Sequence, residues 1–216
     1  MERLRSLVRE GAARTLVLLP GYGDRAESFL ARADDFDPDR QWTVVVLEGR
    51  LTNARGPYWY DVDDQGPVAD ELDAAVEAVR REVDALAGAA AASAEAPVLA
   101  GFSQGGALAL ATLLDPATTR PPEAVGVLAG YLPTRPDGTI DLQQAVGRPV
   151  LFAHGDDDAL VEPLRGRSAA KALQRAGATV SWHATEGGHR FDGPLLDAFG
   201  TWLSALARGE TPVAPI

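Results

Sequence analysis

Six short runs of apolar residues recur along the chain, and each has the length of a buried strand. Most of these runs are nearly continuous in apolar residues, chiefly valine, leucine and alanine, and lack the polar alternation of a sheet that has one face in water. The predicted strands span residues 15–19, 42–47, 97–102, 124–129, 149–153 and 179–184. Strands that are apolar on both faces predict a sheet covered by helices on each side.

Helical patterns separate these strands. The clearest pattern spans residues 68–87. Its apolar residues recur at spacings of three and four, as in Leu72, Val76 and Val79, and so form one face of a helix. Four more helices are predicted at 25–33, 104–114, 162–176 with Gly177 as its cap, and 194–207. This alternation is typical of an α/β fold with a mostly parallel sheet and helices on both faces.

The length and composition suit one domain. The chain has 216 residues, of which 46% are hydrophobic, and this favours a single core over two small ones. We predict one α/β domain over residues 1–208 and a proline-containing tail, 209–216, that frays. Residues 48–67 show no periodicity, and so long a loop in a compact domain tends to border a site or to be disordered.

Charge and composition argue against several classes of function. A formal net charge of −11, without a block of Lys and Arg, disfavours binding to nucleic acid or to an anionic membrane. No apolar run reaches the roughly 18 residues of a membrane span. Because the cysteine count is 0, a disulfide, a cysteine nucleophile and a thiolate metal site are excluded. We expect a cytoplasmic protein that acts on a small molecule, with its oligomeric state left open, a homodimer included.

A nucleophile elbow is predicted after the strand at 97–102. The segment from Gly101 to Gly105 fits the pattern Gly-x-Ser-x-Gly at a junction of strand and helix, with Ser103 at its centre. A sharp turn there lifts the serine above the sheet, and a side chain at either glycine would collide with neighbouring backbone. The alternative is a glycine-rich helix start that Ser103 merely caps.

A serine hydroxyl is a weak nucleophile unless a base accepts its proton, and the chain has three histidines. His189 follows the last predicted strand on a glycine-containing loop, which favours it as the base. His183 lies inside a strand. His154 ends a strand beside Gly155, where a role in the turn is the better interpretation.

The histidine in turn needs a carboxylate that fixes its tautomer. Three candidates, Asp156, Asp157 and Asp158, follow the strand at 149–153. All of them keep the chain order serine, acid, histidine that goes with this elbow, so spacing alone does not choose among them. At least two belong to a solvated acidic turn.

Backbone donors for a developing oxyanion are predicted at two places. The residue after the nucleophile, Gln104, supplies one N–H. Gly21 and Gly23 flank Tyr22 directly after the first strand, where the backbone can turn its N–H groups into the site. We therefore expect Tyr22 to supply the second donor and the two glycines to line the substrate. Taken alone, Gly-x-Gly is equally typical of an ordinary tight turn.

Together these motifs resemble the phospholipase/carboxylesterase family of α/β-hydrolases, which includes acyl-protein thioesterases. The resemblance spans nearly the whole chain and implies the single-domain α/β-hydrolase fold. It rests on Leu-Pro-Gly-Tyr-Gly-Asp at 19–24, Gly-Phe-Ser-Gln-Gly-Gly at 101–106, His-Gly-Asp-Asp-Asp-Ala-Leu-Val at 154–161 and Gly-Gly-His at 187–189.

The resemblance also selects the acid and adds a binding residue. The family's motif His-Gly-x-x-Asp-x-x-Val corresponds to Asp158 here. Residues 56–61 look like the family's aromatic loop beside the acyl site, which implies that Trp59 contacts substrate; alternatively, Trp59 plugs the core. One departure is Pro20, which stands where the family usually has histidine.

The predicted reaction is a two-step acyl transfer on short-to-medium acyl esters, without a cofactor or a metal. Ser103 attacks the carbonyl, His189 takes its proton and Asp158 orients His189. Neither a P-loop nor a dinucleotide fingerprint occurs. Within the class, the alternative is a lysophospholipase or an acyl-protein thioesterase, and a peptidase or C–C hydrolase would share the triad. From another class, the alternative is a non-catalytic ligand-binding protein on the same fold.

Overall fold

The computed structural model describes residues 3–12, 14–64, 66–89, 96–133 and 141–216. At its centre lies a seven-stranded sheet. Its strands are β1 (Ser6–Arg9), β2 (Arg14–Leu19), β3 (Trp42–Leu47), β8 (Val98–Phe102), β9 (Val125–Leu128), β10 (Pro149–Gly155) and β11 (Thr179–Thr185). They lie in the order β1-β3-β2-β8-β9-β10-β11, and every neighbouring pair is parallel except β1 and β3.

Helices pack on both faces of this sheet, because successive strand residues point to opposite sides and both sides are apolar. The helices are α1 (Ala26–Leu30), α2 (Ala33–Phe36), α3 (Ala69–Ala89), α4 (Gln104–Leu114), α5 (Pro163–Ala176) and α6 (Gly193–Ala207). Val17 and Leu19 belong to the hydrophobic cluster that includes residues of α3, α4 and α5, whereas Leu16 and Leu18 belong to the cluster that includes residues of α1, α2 and α6. The predicted mostly parallel sheet with helices on both faces is confirmed.

The six predicted strands correspond to β2, β3 and β8 to β11, with ends that differ by at most about two residues. One helix prediction was wrong in detail: residues 25–33 do not form one continuous helix. The first part, α1, packs on β1 and β3, while α2 begins at Ala33 and packs on α6. The two short helices thus pack against different parts of the fold, α1 against the sheet and α2 against α6. The helix α5 ends as predicted at Gly177, which is left-handed with φ 101°.

The segment 48–67 is not a plain loop. It contains two short antiparallel pairs, β4 (Leu51–Asn53) with β5 (Gly56–Tyr58), and β6 (Val62–Asp63) with β7 (Gly66–Pro67). Their strands have two or three residues, too few to show a period of two in the sequence. The first pair carries the aromatic loop to the edge of the sheet where the chemistry is expected.

The C-terminal tail was expected to fray, whereas in the structure it pairs with β11. Ser181 and Ala214 form a parallel bridge, and the N–H of Trp182 donates to the carbonyl of Ala214 at 3.3 Å. The hydroxyl of Ser181 also donates to the carbonyl of Pro212 at 2.6 Å. The tail therefore lies along the outer edge of β11.

The candidate site lies at the topological switch of the sheet. From β2 the chain crosses to β3 on one side, and β8 pairs with β2 on the other. The loops that follow β2 and β8 leave the sheet in a crevice at their carboxyl ends, where α/β folds bind their ligands. Within the described part of the chain, no helix is long and apolar enough to cross a membrane.

Candidate active site

The residue at the centre of the Gly-x-Ser-x-Gly motif has a strained backbone. Ser103 lies between β8 and α4 with φ 54° and ψ −117°. A Cβ on Gly101 would lie 2.2 Å from the carbonyl oxygen of Gly105, and one on Gly105 would lie 2.1 Å from that of Leu19. Both glycines are therefore required by close backbone approach. The side chain of Ser103 makes no capping hydrogen bond, which argues against the helix-cap alternative.

A histidine and an aspartate pair beside this turn. The Nδ1 atom of His189 lies 2.7 Å from Oδ2 of Asp158, whose side chain is fully buried. With the carboxylate as acceptor, Nδ1 carries the proton and Nε2 is left free to accept one. This is the tautomer that a general base requires.

The structure brings Asp158, rather than its two neighbours, to His189. The second carboxylate oxygen of Asp158 accepts the backbone N–H groups of Leu160 and Val161 at 2.9 and 2.8 Å. Asp156 and Asp157 are exposed, although their backbone N–H groups bind the carbonyls of Thr185 and Gly187. The acidic loop and the histidine loop are thus tied together through the main chain.

His154 contacts the loop that holds the carboxylate of Asp158. Its Nε2 lies 2.8 Å from the carbonyl of Val161 and 3.2 Å from Oδ2 of Asp158, so it closes the turn that holds the carboxylate. Burial lowers the pKa of His154, against the opposing effects of the Val161 hydrogen bond and of Asp158. A buried, neutral imidazole that donates from Nε2 fits these contacts. The predicted turn role of His154 agrees with this geometry.

Ser103 and His189 come from different loops and are not hydrogen-bonded to each other in the described residues. The ring of His189 packs instead on Phe102, with the ring centroids 4.7 Å apart. Phe102 is the residue directly before the serine. Catalytic hydrogen bonds are often long or unformed in a free enzyme and tighten when substrate is bound.

The loop after β2 faces the serine. A Cβ on Gly21 would lie 3.3 Å from Cβ of Ser103, so the backbone of Gly21 borders the nucleophile. The N–H of Gly23 donates to the carbonyl of Pro57 at 2.7 Å. Gly23 has φ 84°, and a side chain on it would press on the backbone of Arg55. Both predicted glycines are thus needed for the shape of the loop, and Gly21 is the one next to Ser103.

The two predicted oxyanion donors are both close to the serine along the chain or in space: Gln104 directly follows Ser103, and Tyr22 directly follows Gly21, whose backbone borders it. The N–H of Tyr22 makes no hydrogen bond to the described protein. The N–H of Gln104 belongs to the first turn of α4, where N–H groups have no partner inside the helix. The side chain of Tyr22 turns outward, with 39% of its surface exposed, and its ring lies 4.9 Å from that of Tyr58.

Trp59, which was predicted to contact substrate, is mostly buried and lines an apolar pocket with Leu51 and Ala75, so substrate contact stays a prediction. Only 4% of its surface is exposed, and its indole N–H donates to the carbonyl of Pro20 at 2.8 Å. Trp59 is therefore buried, as in the alternative interpretation, but with a specific polar contact to the loop that carries Tyr22.

The side chain of Gln104 completes this contact, and sequence reasoning missed it. Its amide oxygen accepts the N–H of Trp59 at 3.0 Å, and its amide nitrogen donates to the carbonyl of Tyr60 at 2.6 Å. Gln104 and Trp59 together form a strut, from the elbow through the aromatic loop to Pro20. The only signal in the sequence was an amide side chain at a position where the motif requires just a backbone.

Replacing Trp59 with phenylalanine should lower kcat by about tenfold and leave KM nearly unchanged. The phenyl ring fills most of the space but cannot donate to Pro20, so the loop that carries the N–H of Tyr22 loosens, and loss of a whole oxyanion donor costs 10² to 10³. Steady-state kinetics on a short-chain ester and binding of a trifluoromethyl ketone measure the effect.

Trp202→Phe is the matched control. Trp202 is also buried, at 1% exposure, but its indole N–H has no hydrogen-bond partner in the described protein and it packs in the α6 layer. Both variants lose stability through a smaller core side chain. Equal kcat for Trp59→Phe and Trp202→Phe would contradict the strut.

The described residues hold no group of three or more His, Asp or Glu side chains placed to bind a metal ion. The three consecutive aspartates do not form such a group, since Asp158 points inward and its neighbours are exposed.

Comparison with known proteins identifies relatives across nearly the whole chain. Residues 8–207 match the model of the family described as Phospholipase/Carboxylesterase. A probable carboxylesterase SOBER1-like of Arabidopsis thaliana is 33% identical over 217 residues, covering 90% of this chain and 80% of that protein. A protein of Oryza sativa subsp. japonica called probable inactive carboxylesterase Os04g0669700 is 31% identical, covering 92% of this chain and 86% of its own.

A solved structure shares the fold. The carboxylesterase of Bacillus cereus superposes with a TM-score of 0.80 over 93% of both chains, at 18% sequence identity. At this identity the likeness concerns the arrangement of helices and strands rather than the chemistry.

Proposed function

Since this chain belongs to the phospholipase/carboxylesterase family, with its α/β-hydrolase fold, we propose that it is a serine carboxylesterase that hydrolyses short-to-medium acyl esters through an acyl-enzyme. Its nucleophile is Ser103, its base His189 and its acid Asp158. The observation that carries the proposal is the 2.7 Å contact between His189 and the buried Asp158, beside a serine with φ 54°. A strained backbone at a serine is a feature of the nucleophile elbow.

The first step forms the acyl-enzyme. The hydroxyl oxygen of Ser103 attacks the ester carbonyl while Nε2 of His189 takes the hydroxyl proton. The carboxylate of Asp158 stabilises the imidazolium that results. When the tetrahedral intermediate collapses, His189 gives this proton to the leaving alcohol, and the acyl group stays on the serine oxygen.

The second step repeats the chemistry with water. His189 takes a proton from water, the hydroxide oxygen attacks the acyl carbonyl, and the proton returns to Ser103 as the carboxylic acid leaves. In both steps the carbonyl oxygen becomes negative. The backbone N–H groups of Tyr22 and Gln104 are the donors that stabilise this charge, and the strut through Trp59 holds the two segments together.

A non-catalytic binding protein is the second candidate, because one relative carries the word inactive in its name. A fluorophosphonate probe separates the two, since it reacts only with an activated serine. The proposed enzyme is labelled at Ser103, and a Ser103→Ala variant is not. Wild-type protein that stays unlabelled at millimolar probe would favour the binding protein.

We expect a preference for short-to-medium acyl chains over long ones. Every helix of the described residues belongs to the two layers on the sheet, so none forms a lid with an apolar tunnel. Each methylene that finds apolar contact adds roughly 0.8 kcal/mol, or about fourfold in kcat/KM. With p-nitrophenyl esters from acetate to palmitate, kcat/KM should rise over the first carbons and then level or fall.

A continued rise of kcat/KM out to palmitate, measured below the concentration at which micelles form, would contradict the expectation that the acyl site is shallow. It would favour the lysophospholipase or acyl-protein thioesterase alternative within the same mechanism.

A further inference from the structure

Asp24 introduces a second carboxylate beside the nucleophile, one for which the triad mechanism has no use. We propose that Asp24 selects substrates by charge: it favours esters that carry a cation near the scissile bond and disfavours those that carry an anion there. This inference rests on the proposed esterase function and specifies the substrate class of the same site.

The position of the carboxylate follows from Gly21. A Cβ on Gly21 would lie 2.8 Å from Oδ2 of Asp24 and 3.3 Å from Cβ of Ser103. One point in space is therefore adjacent to both side chains, and it is kept open because residue 21 is glycine. A group that approaches Ser103 from the side of Gly21 must pass within a few ångströms of the Asp24 carboxylate.

The charge on Asp24 is not neutralised by a cation. Among the described residues no arginine or lysine forms an ion pair with it, and the ionisable group that acts to lower its pKa is His189. Burial raises the pKa of Asp24, while His189 and a backbone hydrogen bond from Gly21 act in the opposite direction. Because Asp24 is only partly buried, solvent still reaches its carboxyl group and stabilises the charged form.

A purely structural role explains less. Asp24 does not cap α1, whose N-cap is Arg25 and has no side-chain capping bond. Its backbone hydrogen bond with Gly21 needs an acceptor oxygen but not a negative charge. Asparagine supplies the same oxygen, so the variant Asp24→Asn removes the charge and keeps the turn.

The expected size of the effect follows from Coulomb's law. A unit charge several ångströms from a charged group on the substrate, in a partly solvated cleft, changes kcat/KM by about tenfold in each direction. Neutral esters should be nearly unaffected. The same logic predicts that salt weakens the selection, since solvent reaches the carboxylate.

Three aryl acetates that differ in the charge at the meta position provide the test: 3-acetoxy-N,N,N-trimethylanilinium, phenyl acetate and 3-acetoxybenzoate, each at low ionic strength. For wild type, kcat/KM should fall in that order. In Asp24→Asn the ratio between the cationic and the anionic ester should drop by about tenfold or more, with phenyl acetate within about threefold of wild type. Asp157→Asn is the matched control, since it removes one exposed charge near the site and should keep the ratio.

A second measurement does not depend on turnover. Calorimetric binding of the two alcohol products, 3-hydroxy-N,N,N-trimethylanilinium and 3-hydroxybenzoate, should show the same preference for the cation and its loss in Asp24→Asn. If wild type binds by charge in this way but turns over no ester, the esterase proposal fails, and only the charge preference of the site at Asp24 stands. If esters are hydrolysed and Asp24→Asn leaves the ratio unchanged, the inference is overturned and the esterase proposal stands.

Discussion

Replacing Ser103 with alanine is expected to lower kcat/KM for a short-chain ester by roughly 10⁴-fold or more. The hydroxyl oxygen is the atom that would bond to the acyl carbon, and alanine offers no substitute. His189→Ala should have an effect of similar size, because members of a triad act as a unit. Hydrolysis of p-nitrophenyl butyrate by purified variants, followed at high enzyme concentration, measures both.

The fold should survive these changes. The turn at Ser103 depends on the close approaches at Gly101 and Gly105, and alanine accepts the positive φ no worse than serine does. Circular dichroism and thermal melting of the Ser103→Ala variant supply the check. A well-folded Ser103→Ala variant that retains a tenth of the esterase activity would remove Ser103 from the mechanism.

Asp158→Asn should lower kcat by on the order of 10⁴-fold, the size seen when a triad aspartate becomes an amide. The asparagine oxygen can still accept the N–H groups of Leu160 and Val161, so the turn is kept. Its NH₂ group then faces Nδ1 of His189 and favours the tautomer with the proton on Nε2, which cannot accept the proton of Ser103.

The neighbouring aspartates give an internal control for this result. Asp156→Asn and Asp157→Asn change the same charge on exposed side chains, and we expect kcat within about tenfold of wild type. A severe loss in either of these, with Asp158→Asn active, would mean that His189 takes another partner when substrate binds. Kinetics of the three variants side by side decide between these outcomes.

The parts of the fold that the sequence predicted are those where burial determines residue type. Strands covered on both faces are rich in apolar residues, so β2, β3, β8, β9 and β10 could be located from the sequence. The edge strand β11 could be located too, although its polar and apolar residues alternate. The edge strand β1 could not, because its four residues alternate between exposed and half-buried and two of them, Ser6 and Arg9, are polar. A strand this short shows too few periods to be recognised.

The candidate site divides in the same way. Ser103 and Gln104 lie in a motif whose glycines are required by close approach of the backbone, and this turn can be predicted from the residue types. The choice of Asp158 among three aspartates came from the family resemblance, because spacing treats them alike. Its burial against His154 and His189 depends on how β10 and β11 pair, which is a tertiary fact.

The contacts of Trp59 and Asp24 lay beyond the sequence for a further reason. Whether an aromatic ring borders a substrate or supports a loop depends on which atom its N–H meets, here the carbonyl of Pro20. Whether a carboxylate after a turn faces water or the nucleophile depends on the residue opposite, here Gly21. Both are decided by contacts between segments that are distant along the chain or folded back on themselves.

The tail along β11 has a consequence for self-association. The last strand of an open sheet presents unpaired N–H and C=O groups, which can recruit a strand from another molecule and begin aggregation. Here Ala214 occupies part of that edge, with Pro215 directly after it and Pro212 two residues before it, and neither proline has an N–H to offer a further strand. Residues 212–215 thus block this part of the edge against pairing with a strand of a second chain.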